Sequence, residues 1–152
     1  MSQSGGGIDL DTSLGYLLKE ASSVLRSAME EVLRPLGMTV THYSCLELLA
    51  QRPGMSNSEL ARGAFVTRQS MNVLLQHLER EGHVVRPAAA PVGKALPARL
   101  TPRGRRSLEK ASAAVRSVEL RMLAGMTAAE QADALRSLRS MIHSLRGGSA
   151  GG

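Results

Sequence analysis

Between Asp11 and Leu33, apolar side chains recur at Leu14, Leu17, Leu18, Val24, Leu25, Ala28, Val32 and Leu33. That spacing follows the 3.6-residue period of a helix, and Pro35 and Gly37 end it. A second helix begins at Thr39 or Thr41, turns Tyr43, Cys45, Leu46 and Leu49 inward, and closes at "RPG", residues 52–54. Ser56 with Glu59 three residues on makes a capping box, in which each satisfies a backbone donor of the other. It opens a short helix, roughly 57–63, with Leu60 and Ala61 inward. Thr67 caps the next helix, roughly 68–81, and Gly82 follows as the residue that stops it. Two short helices joined by a tight "GAFV" turn, with the small Ala61 where they cross, make a helix-turn-helix pattern.

The period then changes. "HVVRP" reads as a strand, "AAAPVGK" as a loop, and "ALPARL" as a return strand that Pro97 confines to a sheet edge. "LTPRG" starts a long helix, with Thr101 as cap and Pro102 at the first helical position, running to about Leu123. "TAAE" at 127–130 is a second capping box, opening a last helix with Leu135, Leu138, Ile142 and Leu145 inward. The predicted fold is mainly α with a small two-stranded β-wing, a winged helix-turn-helix at 39–101 between long helices at 11–38 and 102–146. Residues 11–146 form one domain, with flexible ends at 1–10 and 147–152.

Composition narrows the class. The chain has 152 residues, enough for one domain with a real core, and 43% of them are apolar. With 2% aromatics, Leu, Val, Ala and eight Met must fill that core. No apolar run approaches the ~20 residues that span a bilayer, so no membrane association is expected. "MSQSGGGIDLD" lacks a basic n-region and an apolar h-region, and the single cysteine excludes an intrachain disulfide. A cytoplasmic location follows as the expectation. The net charge is +6, and it is unevenly placed. Residues 1–38 hold three basic groups against five acidic; residues 39–104 and 105–152 each hold eight against four. A surplus concentrated away from the first helix suits a polyanionic partner.

The stretch "TRQSMNVLLQHLEREGHVVRP" at 67–87 shows what that partner would meet. Met71, Leu74 or Leu75, and Leu78 supply a packing face, while Arg68, Gln69, Ser70, Asn72, Val73 and Gln76 lie on the other side. A helix entering the major groove of duplex DNA presents such groups near its N-terminus. Arg takes guanine O6 and N7 together, and Gln or Asn takes adenine N6 and N7. Ser56 and Thr67, at helix N-termini, suit phosphates. Arg86, Lys94 and Arg99 on the hairpin would reach backbone or minor groove.

On these residues the chain resembles the MarR family of bacterial transcription regulators, over residues 14–145. The matching pieces are "GMTVTHYSCLELLA", "SNSELARGAFVTRQSMNVLLQHLEREGHV" and "ARLTPRGR". The resemblance implies a homodimer held by the first and the last two helices, paired reading heads on a pseudo-palindromic operator, and repression relieved by a small aromatic or phenolic ligand. Tyr16, Arg26, His42 and Tyr43 are the candidate ligand contacts. The family's wing tip, of the type D-x-x-D-x-R, is replaced by "AAAPVGKAL", with Val92 at the second acidic position and Lys94 near the arginine. Lys94 is left to neutralise a phosphate as a point charge, without an arginine's fork geometry.

Other chemistries find less support. Cys45 offers a thiol-sensor alternative, but it falls on the inward face beside Leu46 and Leu49 and reads as a small core residue. Oxidation-sensing members of the family carry their cysteine near the start of the first helix, where this chain has none. His42, His77, His83 and His143 have no short ligand spacing, so neither a metal site nor a cofactor is expected. A nucleophile elbow, a phosphate loop and HExxH are all missing, and the chain is not expected to be an enzyme. A winged-helix protein adaptor without a specific operator is the remaining alternative, and the basic balance of residues 39–104 opposes it.

Overall fold

Each helix of the predicted order forms, and the caps explain where. In the computed structural model, which describes residues 6–86 and 97–147, the elements are α1 (Leu14–Leu33), α2 (Val40–Gln51), α3 (Asn57–Gly63), α4 (Arg68–Arg80), β1 (Val84–Val85), β2 (Arg99–Leu100), α5 (Pro102–Met122) and α6 (Ala128–Gly147). Ser13, Thr39, Ser56 and Thr67 each accept from a backbone N–H in the first turn of the helix they precede. Both capping boxes close: Glu59 accepts from the Ser56 N–H at 2.8 Å, and Glu130 from the Thr127 N–H at 2.8 Å. Such caps typically stabilise a helix by about 1 kcal/mol each.

The chain divides into two compact units, one ending at Val118 and the other beginning at Glu119, so the boundary falls inside α5. The core lies in the first unit. Leu46, Cys45, Leu60, Met71, Leu75 and Leu78 are fully buried, and Leu33, Val84, Ala98, Leu108 and Ala111 close around them. Each buried Leu or Met contributes ~1.5–3 kcal/mol relative to leaving it in water. The helix-turn-helix pair α3–α4 is packed on this core by Leu60, Ala61, Met71 and Leu75. Behind it β1 and β2 pair antiparallel, Val84 opposite Leu100 and Val85 opposite Arg99. The loop expected at "AAAPVGK", and with it Lys94, lies outside the described residues, as do residues 1–5 and 148–152.

Two apolar stripes are left uncovered, and the one on α6 corrects the expected inward face. Of the apolar positions that recur along α1, only Leu33 is buried; Leu14, Leu17, Leu18 and Val24 are exposed. In the second unit Leu135, Leu138, Ile142 and Leu145, expected to face inward, are exposed as well, and α6 has no buried residue. Periodicity identifies an amphipathic helix but not what covers it. His42 departs in the opposite direction: it is buried in the core, only 4% exposed.

The corner where α4 turns into β1 is tightly built. Gly82 adopts a left-handed φ of +79°, which costs glycine nothing. Its carbonyl accepts from the Thr101 hydroxyl at 2.6 Å, and the His83 carbonyl accepts from the Thr101 N–H at 3.0 Å. The same Thr101 oxygen caps α5 by accepting from the Gly104 N–H at 3.0 Å. A Cβ on Gly104 would stand 2.1 Å from the His83 carbonyl oxygen, so only glycine permits this approach.

Candidate nucleic-acid interface

Thr67 sets the orientation of α4. Its hydroxyl oxygen accepts from the Ser70 N–H at 3.0 Å and itself donates to the Ser70 hydroxyl at 3.0 Å. With Met71, Leu75 and Leu78 pinned inward, the 3.6-residue period turns Arg68, Gln69, Ser70, Asn72, Val73 and Gln76 to solvent. All six expected reading residues therefore share one exposed face of the first turns of α4. Val73 is 60% exposed, an apolar contact of the kind that suits a thymine methyl.

The side chains are not equally free. Asn72 Oδ1 accepts from Asn57 Nδ2 at 2.6 Å, tying α4 to the start of α3. Its carbonyl oxygen is thus engaged, whereas bidentate adenine recognition needs both ends of the amide. Asn57 was not among the expected residues; its place directly after the Ser56 cap is the only sequence signal for it. The Ser56 oxygen accepts from the Glu59 N–H at 3.1 Å, so this oxygen and that of Thr67 each serve as a capping acceptor. Arg68 carries no side-chain hydrogen bond or ion pair among those found for the described residues.

On the hairpin the two described arginines differ. Arg99 is exposed on β2. Arg86 instead pairs with Glu79 of α4, through Nε at 2.9 Å and a second guanidinium nitrogen at 2.8 Å. The wing arginine expected to reach DNA is thereby held against the reading helix. Phe65, in the turn between α3 and α4, is the other residue that the sequence reading passed over. It is 88% exposed and adopts φ +61°, a left-handed conformation unusual for a bulky residue.

The four candidate ligand contacts do not converge on one cleft. Tyr16 lies exposed on α1, and Arg26 on the same helix pairs with Glu30 at 3.8 Å. Tyr43 lines an open cleft of about 210 Å3 with Ser44, Glu47, Gln51 and Arg52. There its hydroxyl donates to Glu47 at 2.5 Å. Burial raises the Glu47 pKa, but hydrogen bonds from Tyr43, Gln51 and Ser112 outweigh it and hold the carboxyl below its usual range. A carboxylate kept ionised in this cleft disfavours an anionic ligand beside it.

His42 faces inward, toward His83 and His77, with ring centroids at 5.8 and 6.2 Å. Burial pushes its pKa down to about 4, helped by His83, opposed by Glu81 and helped again by His77. Three of the four histidines that are scattered along the sequence therefore meet at one place. Cys45 is fully buried, its Sγ 3.7 Å from the Met71 sulfur, and burial pushes its thiol up to about 12. A reactive cysteine needs access and a lowered pKa, and Cys45 has neither.

Among the described residues, no helix is long and apolar enough to cross a membrane. A model of the MarR family matches residues 36–95. The HTH-type transcriptional repressor Rv2887 of Mycobacterium tuberculosis (strain ATCC 25618 / H37Rv) is 45% identical over 135 residues, covering 89% of this chain and 97% of the relative. The crystal structure of Rv2887 with salicylic acid superposes with a TM-score of 0.72 at 46% identity, covering 86% of this chain and 97% of that one. Its complex with DNA gives 0.71 at 44% identity, covering 86% and 98%.

Proposed function

The chain belongs to the MarR family, and we propose that it is a sequence-specific, double-stranded DNA-binding repressor, released by a small aromatic acid. The observation that carries this reading is the exposed face of α4, with Arg68, Gln69, Ser70, Val73 and Gln76 presented by a capped helix whose other face is locked in the core. Rv2887, a transcriptional repressor, has been crystallised with DNA and with salicylic acid, which supports both the partner and the ligand class. The protein acts as a regulator and not as an enzyme.

Arg68 and Gln69 read base edges, and Gln76 and Val73 extend the footprint along the groove. Asn72 contributes its amide N–H groups while its oxygen braces α3. Ser56, Thr67, Arg99 and Lys94 contact the sugar–phosphate backbone, and Arg86 positions the wing through Glu79. The winged helix-turn-helix at 39–101 recurs in a homodimer, with the segments at 11–38 and 102–146 forming the subunit contact. The exposed stripes of α1 and α6 support that dimer, since contiguous apolar surface is the usual mark of an interface. Two reading heads then demand an inverted repeat.

The test is selection from a randomised duplex pool at moderate salt, followed by titration of the enriched duplex with salicylate. An enriched inverted repeat, released by salicylate, is the expected result, and Arg68→Ala should cost ~1–3 kcal/mol of discrimination at its base pair. Lys94→Ala should weaken matched and scrambled duplexes alike, with log K falling by ~0.9 less per decade of salt for the lost phosphate contact. Equal losses on matched and scrambled sites for both variants would refute this division of labour.

A further inference from the structure

The three histidines that meet behind the reading helix come together with a carboxylate. His42 Nε2 and His83 Nδ1 are both buried and have no hydrogen-bond partner among the described residues, although His83 Nδ1 lies 3.9 Å from a Glu81 oxygen. One ligand atom from each of His42, His83 and Glu81 lies within 4.8 Å of the others. His77, one turn before Glu81 on α4, brings its Nε2 to 3.3 Å from a Glu81 oxygen. Buried polar atoms without partners are rare in folded proteins and call for a reason.

We infer that His42, Glu81 and His83, with His77 beside Glu81 as the fourth donor, form a binding site for a divalent transition metal ion of the zinc class. Three imidazoles and one carboxylate are a donor set that suits zinc, nickel or cobalt and disfavours calcium or magnesium, which seek oxygen. Around a tetrahedral ion with bonds of about 2.0–2.1 Å, donor atoms stand about 3.4 Å apart. The His42, Glu81 and His83 donors are therefore slightly expanded, and His77, beside Glu81, has to swing inward to complete the set. Glu81 and His77 are both partly exposed and have room to move. His42, the most buried of the four, is the fixed point.

The surroundings already orient one ligand. The His83 Nε2 lies 3.3 Å from the Ser107 hydroxyl of α5. If Nε2 carries the proton, the Nδ1 lone pair points to the Glu81 side, the arrangement that outer hydrogen bonds enforce on metal-binding histidines. The His83 backbone is fixed as well, by Thr101 and by the close approach of Gly104. Metal at this position would join the start of α2 to the end of α4 and the root of the hairpin. Metal would bind here whether or not the opposite end of α4 reads DNA.

The experiment is titration of untagged, chelator-stripped full-length protein with cobalt(II), followed through its visible bands and then by competition with zinc(II). One equivalent per chain should bind, with the intense bands of four-coordinate cobalt, and zinc should displace it. Glu81→Gln alters a partly exposed side chain and should keep the wild-type circular dichroism spectrum while weakening binding by at least about tenfold. His83→Gln should do the same, and Ser107→Ala should weaken it by about tenfold through the lost orientation. His143→Gln, on α6 and outside the cluster, should leave it unchanged. Cobalt binding of equal affinity in the wild type and in both ligand variants, or no saturable binding by the wild type, overturns the assignment.

Discussion

The two ends of α4 are built to opposite specifications. At the N-terminal end a threonine cap, a packed inner face and a row of exposed polar side chains leave donors and acceptors to solvent. At the C-terminal end the same helix meets the core: Glu79 holds Arg86, and His77 and Glu81 gather with His42 and His83. One end is free to meet a partner that is absent from the chain; the other is fixed by residues from α2, the hairpin and α5. Thirteen residues of helix suffice for both because burial of Met71, Leu75 and Leu78 fixes the rotation of the whole element. A surface for recognition thus depends on a rigid mounting at its far end.

Variants that attack one end at a time should separate these roles. The largest effect is expected at the mounting. In Gly104→Ala the new methyl meets the His83 carbonyl, a backbone atom that cannot rotate away. Destabilisation of at least about 1–3 kcal/mol should result, with DNA binding lost in proportion to folding. Urea denaturation measures it, and an unchanged midpoint would show that the corner yields more easily than its geometry suggests. At the free end, Thr67→Ala removes the cap and should cost about 1 kcal/mol, and it should also misalign Ser70. Comparing its loss of stability with its loss of operator affinity separates capping from phosphate contact: an affinity loss larger than the stability loss assigns the hydroxyl to DNA. The smallest effect is expected in the turn. Phe65→Gly removes a side chain from left-handed backbone, where an L-residue costs ~1–2 kcal/mol, against an unfolded-state penalty of ~0.4–1 kcal/mol for glycine. A thermal melt should show a rise of a degree or two; a fall would mean that the exposed ring makes contacts that stabilise the turn.

The same contrast explains how much could be read from the residues alone. The reading end of α4 was legible because its signals are local: a hydroxyl at the cap, apolar positions three and four apart, and polar groups between them. The element order and the two capping boxes follow from equally short patterns. The histidine cluster was not legible, because His42 and His83 come from distant segments and share no motif spacing; only the fold brings them together. Arg86 illustrates a subtler loss. Its charge was visible, but the carboxylate that engages it, Glu79, lies across a turn and on another element. On α1 and α6 the apolar period identifies the helices, but it does not say what covers Leu135, Leu138, Ile142 and Leu145, which the chain itself leaves exposed.

The junction of Thr101, Gly104 and His83 has a consequence for motion. Where backbones touch without an intervening side chain, neither can slide before the other does. The first turns of α5, the hairpin root and the tail of α4 should then move as one lever, so that a small rotation of the start of α5 reaches the exposed residues at the other end of α4.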